Sequence, residues 1–451
     1  MGDTPGSTLT LGRDDLRRSS EPDPEPVLVL VLESARPHGG SVRYRLADLT
    51  RVTLGRGSER RAELAGGELA ILVPDKWMSS RHARIEPTFG RWTFTDESKN
   101  GSMVDGHPTK RLLLEHGSVL ELGHTLFVFY ERLPIEASAP AVLEVTPAPD
   151  LLGTQSVWPA WQTELERLGP IAASALPILI EGERGVGKQA LARAIHDRSG
   201  RPGAFLQFHC GELPEHLVDG ELFGDEDFEG VIRAARGGTL VLEEIGALPA
   251  RSQVALARAL HERRVVALDG SRFVEVDVRV VSTTERDLDA LIAAGAFRPE
   301  LLAEIAGFRI VVPPLRERRA DLGLLVGALH RRLYAADHPG FEIEAARNLL
   351  HYTWPLNLRE LEQALAAAHV LAGTDRVRPE HLPESVRTGR APGTPRPLAL
   401  DAAEQDLHDR MLAALRAHRG NVSAIARALD KDRKQIHRWL KRFGFDPESF
   451  R

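Results

Sequence analysis

The sequence predicts a multidomain chain: an all-β sandwich, then an α/β domain ending in a helical lid, then a small all-α unit. Three observations predict it. Short alternating or β-branched stretches fill residues 27–132, helical periods alternate with buried strands over 151–386, and two short amphipathic helices close the chain. A chain of 451 residues is long enough for several cores, and its net charge of −6 confines any nucleic-acid contact to a local basic patch. The single cysteine, Cys210, excludes an intramolecular disulfide and points to a reducing, cytoplasmic setting. No apolar run is long enough for a membrane span, and the first residues lack the apolar stretch of an export signal.

Residues 1–26 are rich in Pro, Ser and charge and read as a disordered tail. From 27 to 132 the stretches VLVLVLE, SVRYRLA, RVTLG, AILV, HARIE, RWTFTD, VLELG and TLFVFYE, punctuated by turn residues, argue for the sandwich. A Pro/Ala linker is expected over 133–150. The α/β subdomain spans 151–317, where LPILIEG, GTLVLEE and VDVRVVSTT read as buried strands of a mostly parallel sheet. The lid follows over 318–386, a second linker over 387–399 and the C-terminal unit over 400–451.

Three inter-strand segments of the sandwich, LGRGS (54–58), SSRHA (79–83) and SKNGSMVDG (98–106), can converge on one end. An arginine fork and a serine hydroxyl satisfy phosphate oxygens, while a loop asparagine holds a peptide backbone beside them. Alone, Asn100-Gly101 reads as a tight turn. Taken together and in order, the three segments resemble a forkhead-associated (FHA) domain. The resemblance implies that Arg56 and Ser79 hold a phosphothreonine, that Arg81 assists, and that Asn100 holds the ligand main chain. The partner would be a phosphorylated protein, such as a Ser/Thr kinase or its substrate. Ser80 stands where the family often has a basic residue, and His82 reads as structural.

ILIEGERGVGKQALARAIH (178–196) is a strand, a glycine loop and a helix. Gly182, Gly185 and Gly187, with Val186 between, let backbone N–H groups turn toward a phosphate, and Lys188 supplies a charge for its outer oxygens. The general pattern has Ser or Thr next; this chain has Gln189. With ELFG (221–224), GGTLVLEEIGALP (237–249), VDVRVVSTTERDL (276–288), GAFRPEL (295–301), PPLRER (313–318) and WPLNLREL (354–361), the segment resembles the AAA+ domain of bacterial enhancer-binding proteins, the activators of sigma-54 RNA polymerase. The resemblance implies ATP and Mg2+ as cofactors and a homo-oligomer.

It also assigns roles. Glu243 takes the position of an aspartate that orders the magnesium shell, and Glu244 that of the glutamate that polarises the attacking water. The extra methylene of Glu243 shifts the carboxylate by a bond length, and a misplacement of about 1 Å can cost about a hundredfold in rate. After Thr284, Glu285 replaces a sensor asparagine. Of two arginines the family offers to a neighbouring subunit's nucleotide, Arg298 remains and Glu304 replaces the other; Arg359 of the lid is retained. Only twelve residues, 225–236, bridge ELFG to GGTL, where the family carries the Gly-Ala-Phe-Thr-Gly-Ala loop that contacts sigma-54. RNA polymerase would then be met, if at all, by another surface.

Residues 416–442 hold nine Lys or Arg against two Asp. In GNVSAIARALDKDRKQIHRWLKRFG (420–444) two apolar stripes at helical spacing flank a short polar turn, as in a helix-turn-helix. The stretch is similar to the Fis-type unit that ends enhancer-binding proteins. By that similarity Arg433, Lys434, Gln435, His437 and Arg438 face the major groove of DNA, and Lys441 and Arg442 lie nearer phosphates. The expectation is therefore a transcriptional regulator that reads a phosphoprotein, binds ATP with weak or no hydrolysis and binds DNA. The alternatives are a conventional ATP-hydrolysing sigma-54 activator and a phosphopeptide adaptor whose central domain serves only self-association.

Overall fold

The computed structural model describes residues 23–148, 153–224, 229–266, 273–334 and 338–389, and in the C-terminal part 410–411, 414–415, 417–418, 421–429 and 431–443. The chain divides into two units, Met1–Ala391 and Pro392–Arg451.

In the first unit two sheets face each other. One runs, in spatial order, Val142–Val145, Ser41–Arg45, Pro24–Glu33, Thr125–Pro134, Val119–Leu122, Ser102–Val104 and His107–Pro108. The other runs Arg111–Leu113, Arg91–Asp96, Ala83–Thr88, Arg51–Arg56, Glu68–Val73 and Arg61–Ala65. Leu28, Leu30, Val52, Ile85, Phe94, Phe127 and Phe129 fill the space between them. Within the stretch expected to be a linker, Val142–Val145 pairs with Ser41–Arg45 as an added edge strand, because that edge otherwise leaves its backbone groups unpaired.

The two long strands, Pro24–Glu33 and Thr125–Pro134, are buried on both faces. Their alternate residues Val27, Val29 and Val31, with Leu126, Val128 and Tyr130, turn away from the sandwich and enter the core of the helical lid beside Leu325, Leu329 and Leu361. That double burial explains why VLVLVL is a continuous apolar run with no polar alternation. The lid helix Leu322–Leu333 is buried throughout from Leu322 to His330, so the sandwich covers a face that an isolated lid would expose. A Cβ at Gly323 would collide with the Val31 carbonyl, and one at Gly327 with that of Pro37; the helix lies against the strand because both positions are glycine. Phe341 N–H donates to the Ser34 carbonyl at 2.7 Å, and Arg331 donates to the carbonyls of Pro147 (2.9 Å) and His38 (3.0 Å).

The α/β part holds a five-stranded parallel sheet in the order Phe205–His209, Thr239–Glu243, Arg279–Thr284, Ile178–Glu181 and Phe308–Val311. The glycine loop, Glu243 and Thr284 all lie at the carboxyl ends of its central strands, the edge where open α/β sheets take ligands. In the second unit, Met411, Leu415, Ile425, Ile436 and Leu440 form a small core. The helix Val422–Ala428 starts at Asn421, whose side-chain oxygen accepts Ser423 and Ala424 N–H groups at 3.2 Å each. The helix Arg433–Phe443 follows. No helix among the described residues is long and apolar enough to cross a membrane.

Candidate functional site: a lidded phosphate loop

The loop after Ile178–Glu181 is clamped by the lid. Leu358 N–H donates to the Gly185 carbonyl (2.9 Å), and Asn357 Nδ2 donates to the Arg184 carbonyl (3.0 Å) while its Oδ1 accepts Leu315 N–H (2.8 Å). Gly185 sits at φ +77°, and a Cβ there would meet the Leu356 carbonyl, so no other residue fits under this lid. Arg316 holds both oxygens of Glu183, at 2.8 and 2.5 Å. From behind, the buried Arg318 donates to the Val186 carbonyl (3.2 Å). Val186 is accordingly a buried support and Gly182 lends only its carbonyl; Gly185, Gly187, Lys188 and Gln189 line the cleft.

Lys188 is nearly buried at the floor of this cleft, where Nζ donates to the carbonyls of Gly182 (2.7 Å) and Glu183 (3.2 Å). Burial draws its ammonium below the usual lysine range, opposed by Glu244 at 3.6 Å and Glu285 at 3.9 Å. The open cleft of ≈ 930 Å³ is lined on the lid side by Leu358, Arg359, Arg332 and Glu362. Arg184 and Arg286 also line it, and these two with Arg332 escaped the sequence reading. Their signal is weak: each is an arginine in a loop or on a helix with no motif around it, and only the strand order and lid placement bring them to one cavity.

The strand-end carboxylates are both engaged. Gln189 Nε2 donates to Glu243 Oε2 and Gln207 Nε2 to Glu243 Oε1, each at 2.7 Å. Glu244 sits in the left-handed region at φ 52°; one of its oxygens faces Lys188 and the other accepts Glu285 N–H at 3.2 Å. Glu243, expected to order a magnesium shell, thus accepts one amide donor on each of its oxygens. Thr284 also departs from its expected place: it is fully buried, and its hydroxyl is taken up in a turn with Arg286 N–H at 2.9 Å, so that Thr283 and Glu285 face the cleft instead. Arg298 starts the helix Pro299–Ile305 away from its own loop, its N–H bonded to Gln253 (2.9 Å), and Glu304 pairs with His261 (2.9 Å). The short segment before Thr239 holds the one-turn helix Val231–Ala234; residues 225–228 lie outside the described residues.

At the end of the sandwich, Arg56 N–H donates to the Ser79 carbonyl (2.9 Å), Ser79 Oγ accepts Lys99 N–H (3.3 Å), and Asn100 Nδ2 donates to the Trp77 carbonyl (3.4 Å). The three expected segments do converge, with the Arg56 and Asn100 side chains exposed. Arg81 is exposed beside them and paired with Glu97 at 3.3 Å. His82 is buried, its Nδ1 accepting Ser79 N–H at 3.0 Å, a structural role as expected. The sequence reading missed Asp96. Burial opposes its charge, yet hydrogen bonds from Ser98, Lys110 and Ser102 hold its carboxyl below the usual range and fix the turn that carries Asn100. In the second unit Lys431, Arg433 and Lys434 are exposed and Gln435 partly so; the side chains of His437, Arg438, Lys441 and Arg442 lie outside the described residues.

These features define an FHA-type sandwich joined to a sigma-54-activator-type AAA+ domain. Family models match accordingly: the FHA domain over residues 52–123, the Sigma-54 interaction domain over 155–311, and the AAA+ ATPase lid domain over 316–397. The response regulator protein PilR of Pseudomonas aeruginosa is 36% identical over 303 residues, 62% of this chain and 67% of that protein. The transcriptional regulatory protein ZraR of Escherichia coli is 36% identical over 325 residues, 68% of this chain and 71% of that protein. A solved structure of NtrX from Brucella abortus in complex with ATP is 28% identical at a TM-score of 0.48, covering 64% of this chain and 69% of that one. The chain belongs to the family of sigma-54-dependent transcriptional regulators, with an FHA domain at its N-terminal side.

Proposed function

We propose that this protein is a transcriptional regulator that reads a phosphothreonine-bearing partner with its sandwich, holds ATP under its lid with weak or no hydrolysis, and binds DNA with its C-terminal helices. The observation that carries the central part is the pairing of an intact cradle with a spent base. Lys188 and the lidded glycine loop remain suited to a triphosphate. Glu244, the group that would polarise water, instead faces Lys188 and accepts Glu285 N–H. Arg56, Ser79 and Asn100 support the phosphopeptide reading by their convergence, and a bacterial Ser/Thr kinase or its substrate is the partner that chemistry fits. The exposed Arg433 and Lys434 support DNA binding. Self-association follows the family, with Arg298 reaching a neighbouring copy. Any contact with RNA polymerase uses a surface other than the family loop, for which the twelve residues 225–236 leave no room. Calorimetric titration of ATP into the wild type and Lys188→Ala tests the core of the reading: saturable binding lost in the variant supports it, and a wild type blind to ATP refutes it.

A further inference from the structure

Trp77 is 47% exposed and lies beside the residues that converge on the end of the sandwich. Its carbonyl accepts Asn100 Nδ2 at 3.4 Å, and its ring stacks on His124 with centroids 4.9 Å apart at 16°. The buried Asp75 fixes this arrangement. Its carboxylate accepts Trp77 N–H (2.9 Å), His124 N–H (2.6 Å) and the Thr125 hydroxyl (3.0 Å). The indole is thereby held as an exposed shelf next to Asn100, and tryptophan is the side chain most enriched where surfaces meet partners.

The lid comes up to the same shelf. Ser34 N–H donates to the His124 carbonyl (2.9 Å) and Phe341 N–H to the Ser34 carbonyl (2.7 Å), while Phe341 bridges to Val377. Sandwich and lid backbones therefore lie side by side from His124 to Val377. Arg376 precedes the buried Val377 and is partly exposed. Burial chiefly, opposed by Asp75, holds the His124 ring below the usual histidine range, and the nearby charges of Arg376 and Lys76 push it the same way. Lys76 Nζ lies 5.8 Å from the centre of the Trp77 ring. The carboxylates around the shelf are engaged elsewhere: Asp75 by the three donors above, Glu121 by Arg347, Glu97 by Arg81 and Arg84, while Asp375 and Glu342 face Arg378. Among the described residues, neither Lys76 nor Arg376 has a carboxylate at ion-pair distance.

We propose that the phosphopeptide seat runs from the sandwich onto the lid. A peptide held at Arg56, Ser79 and Asn100 crosses the Trp77 shelf and presents an aspartate or glutamate, a few residues from its phosphothreonine, to Lys76 and Arg376. Arg376 is thus a specificity residue supplied by a second domain. The proposal rests on the phosphopeptide reading above and names the kind of partner, a phosphothreonine segment with an acidic residue nearby. Because the core of sandwich and lid is continuous and includes Leu358, such a ligand touches the body that covers the nucleotide cleft.

The test is fluorescence anisotropy of the full-length protein with a phosphothreonine peptide that is otherwise alanine, and with a set in which one aspartate is walked along each side of the phosphothreonine. At one or more positions the aspartate should tighten binding by about two- to fivefold, the range of a partly exposed ion pair. Arg376→Ala should lose that gain and keep the affinity for the alanine parent, and Arg376→Lys should retain most of the gain. No gain at any position, or a gain undiminished in Arg376→Ala, overturns the proposal and leaves phosphopeptide binding standing. A wild type that binds none of the phosphorylated peptides removes both readings.

Discussion

Arg347 of the lid reaches across to the N-terminal sandwich and grips both carboxylate oxygens of Glu121, at 2.6 and 2.8 Å. Glu121 keeps only 11% of its side-chain exposure and Arg347 24%, so the pair is largely withdrawn from water. With the apolar faces of Pro24–Glu33 and Thr125–Pro134 beside it, this contact makes sandwich and lid one packed body. Arg347→Ala would leave Glu121 largely buried and unpaired and should cost about 2 kcal/mol. Urea unfolding of Arg347→Ala, Glu121→Ala and the double variant measures the coupling, and strictly additive losses would show the pair to be idle.

Gly323 tests the same interface by shape. Valine there overlaps the Val31 carbonyl, so Gly323→Val should destabilise the protein by about 3 kcal/mol or expel the sandwich from the lid. Limited proteolysis between residues 133 and 150 should accelerate with it; an unchanged melting temperature and cleavage rate would mean that the helix does not lie on the strand.

His330 gives a pH dependence. It is buried, stacked on Tyr334 at 4.5 Å with its Nε2 3.2 Å from His338 Nδ1, and burial followed by His338, His38 and His369 pushes its pKa down to about 3. The folded protein keeps this ring neutral while the unfolded chain protonates it near pH 6.5. Stability is therefore full above pH 6.5 and falls as pH drops from there toward 3, by about 1 kcal/mol per pH unit. Denaturation measured between pH 7.5 and 5 should show stability falling with pH, and His330→Phe should make that slope shallower by about 1 kcal/mol per pH unit. An unchanged slope in the variant would assign it wholly to other groups.

The proposed phosphopeptide and DNA sites belong to different units, so their losses should separate. Arg56→Ala and Asn100→Ala should each abolish capture of a phosphothreonine peptide and leave DNA affinity unchanged. Fluorescence anisotropy on both ligands checks this, and joint loss would show a folding defect rather than a missing contact. Lys434→Ala should lower the salt slope of DNA binding by about one phosphate contact; an unchanged slope would move that side chain off the backbone.

Much of this was legible in the residues. The segments around Arg56, Ser79 and Asn100 announced a convergent loop end, and Gly185, Gly187 and Lys188 announced the cradle, because each motif is local and its turn chemistry is written in adjacent residues. The union of sandwich and lid was not read, although VLVLVL carried its signal: a strand with only one buried face alternates, and this run does not. Gln207 could not be found at all, since its place beside Glu243 depends on which strands are neighbours. Thr284 was misplaced because a stretch buried on both faces gives no clue to which hydroxyl meets the cleft.

The proposed cleft holds ATP and splits it weakly or not at all. Phosphate release at saturating ATP, measured on full-length protein beside Lys188→Ala, tests it most directly. Bound nucleotide should stay largely intact, with the wild type releasing phosphate at or close to the background rate of the variant. Steady release by the wild type, well above background and abolished in Lys188→Ala, would contradict it.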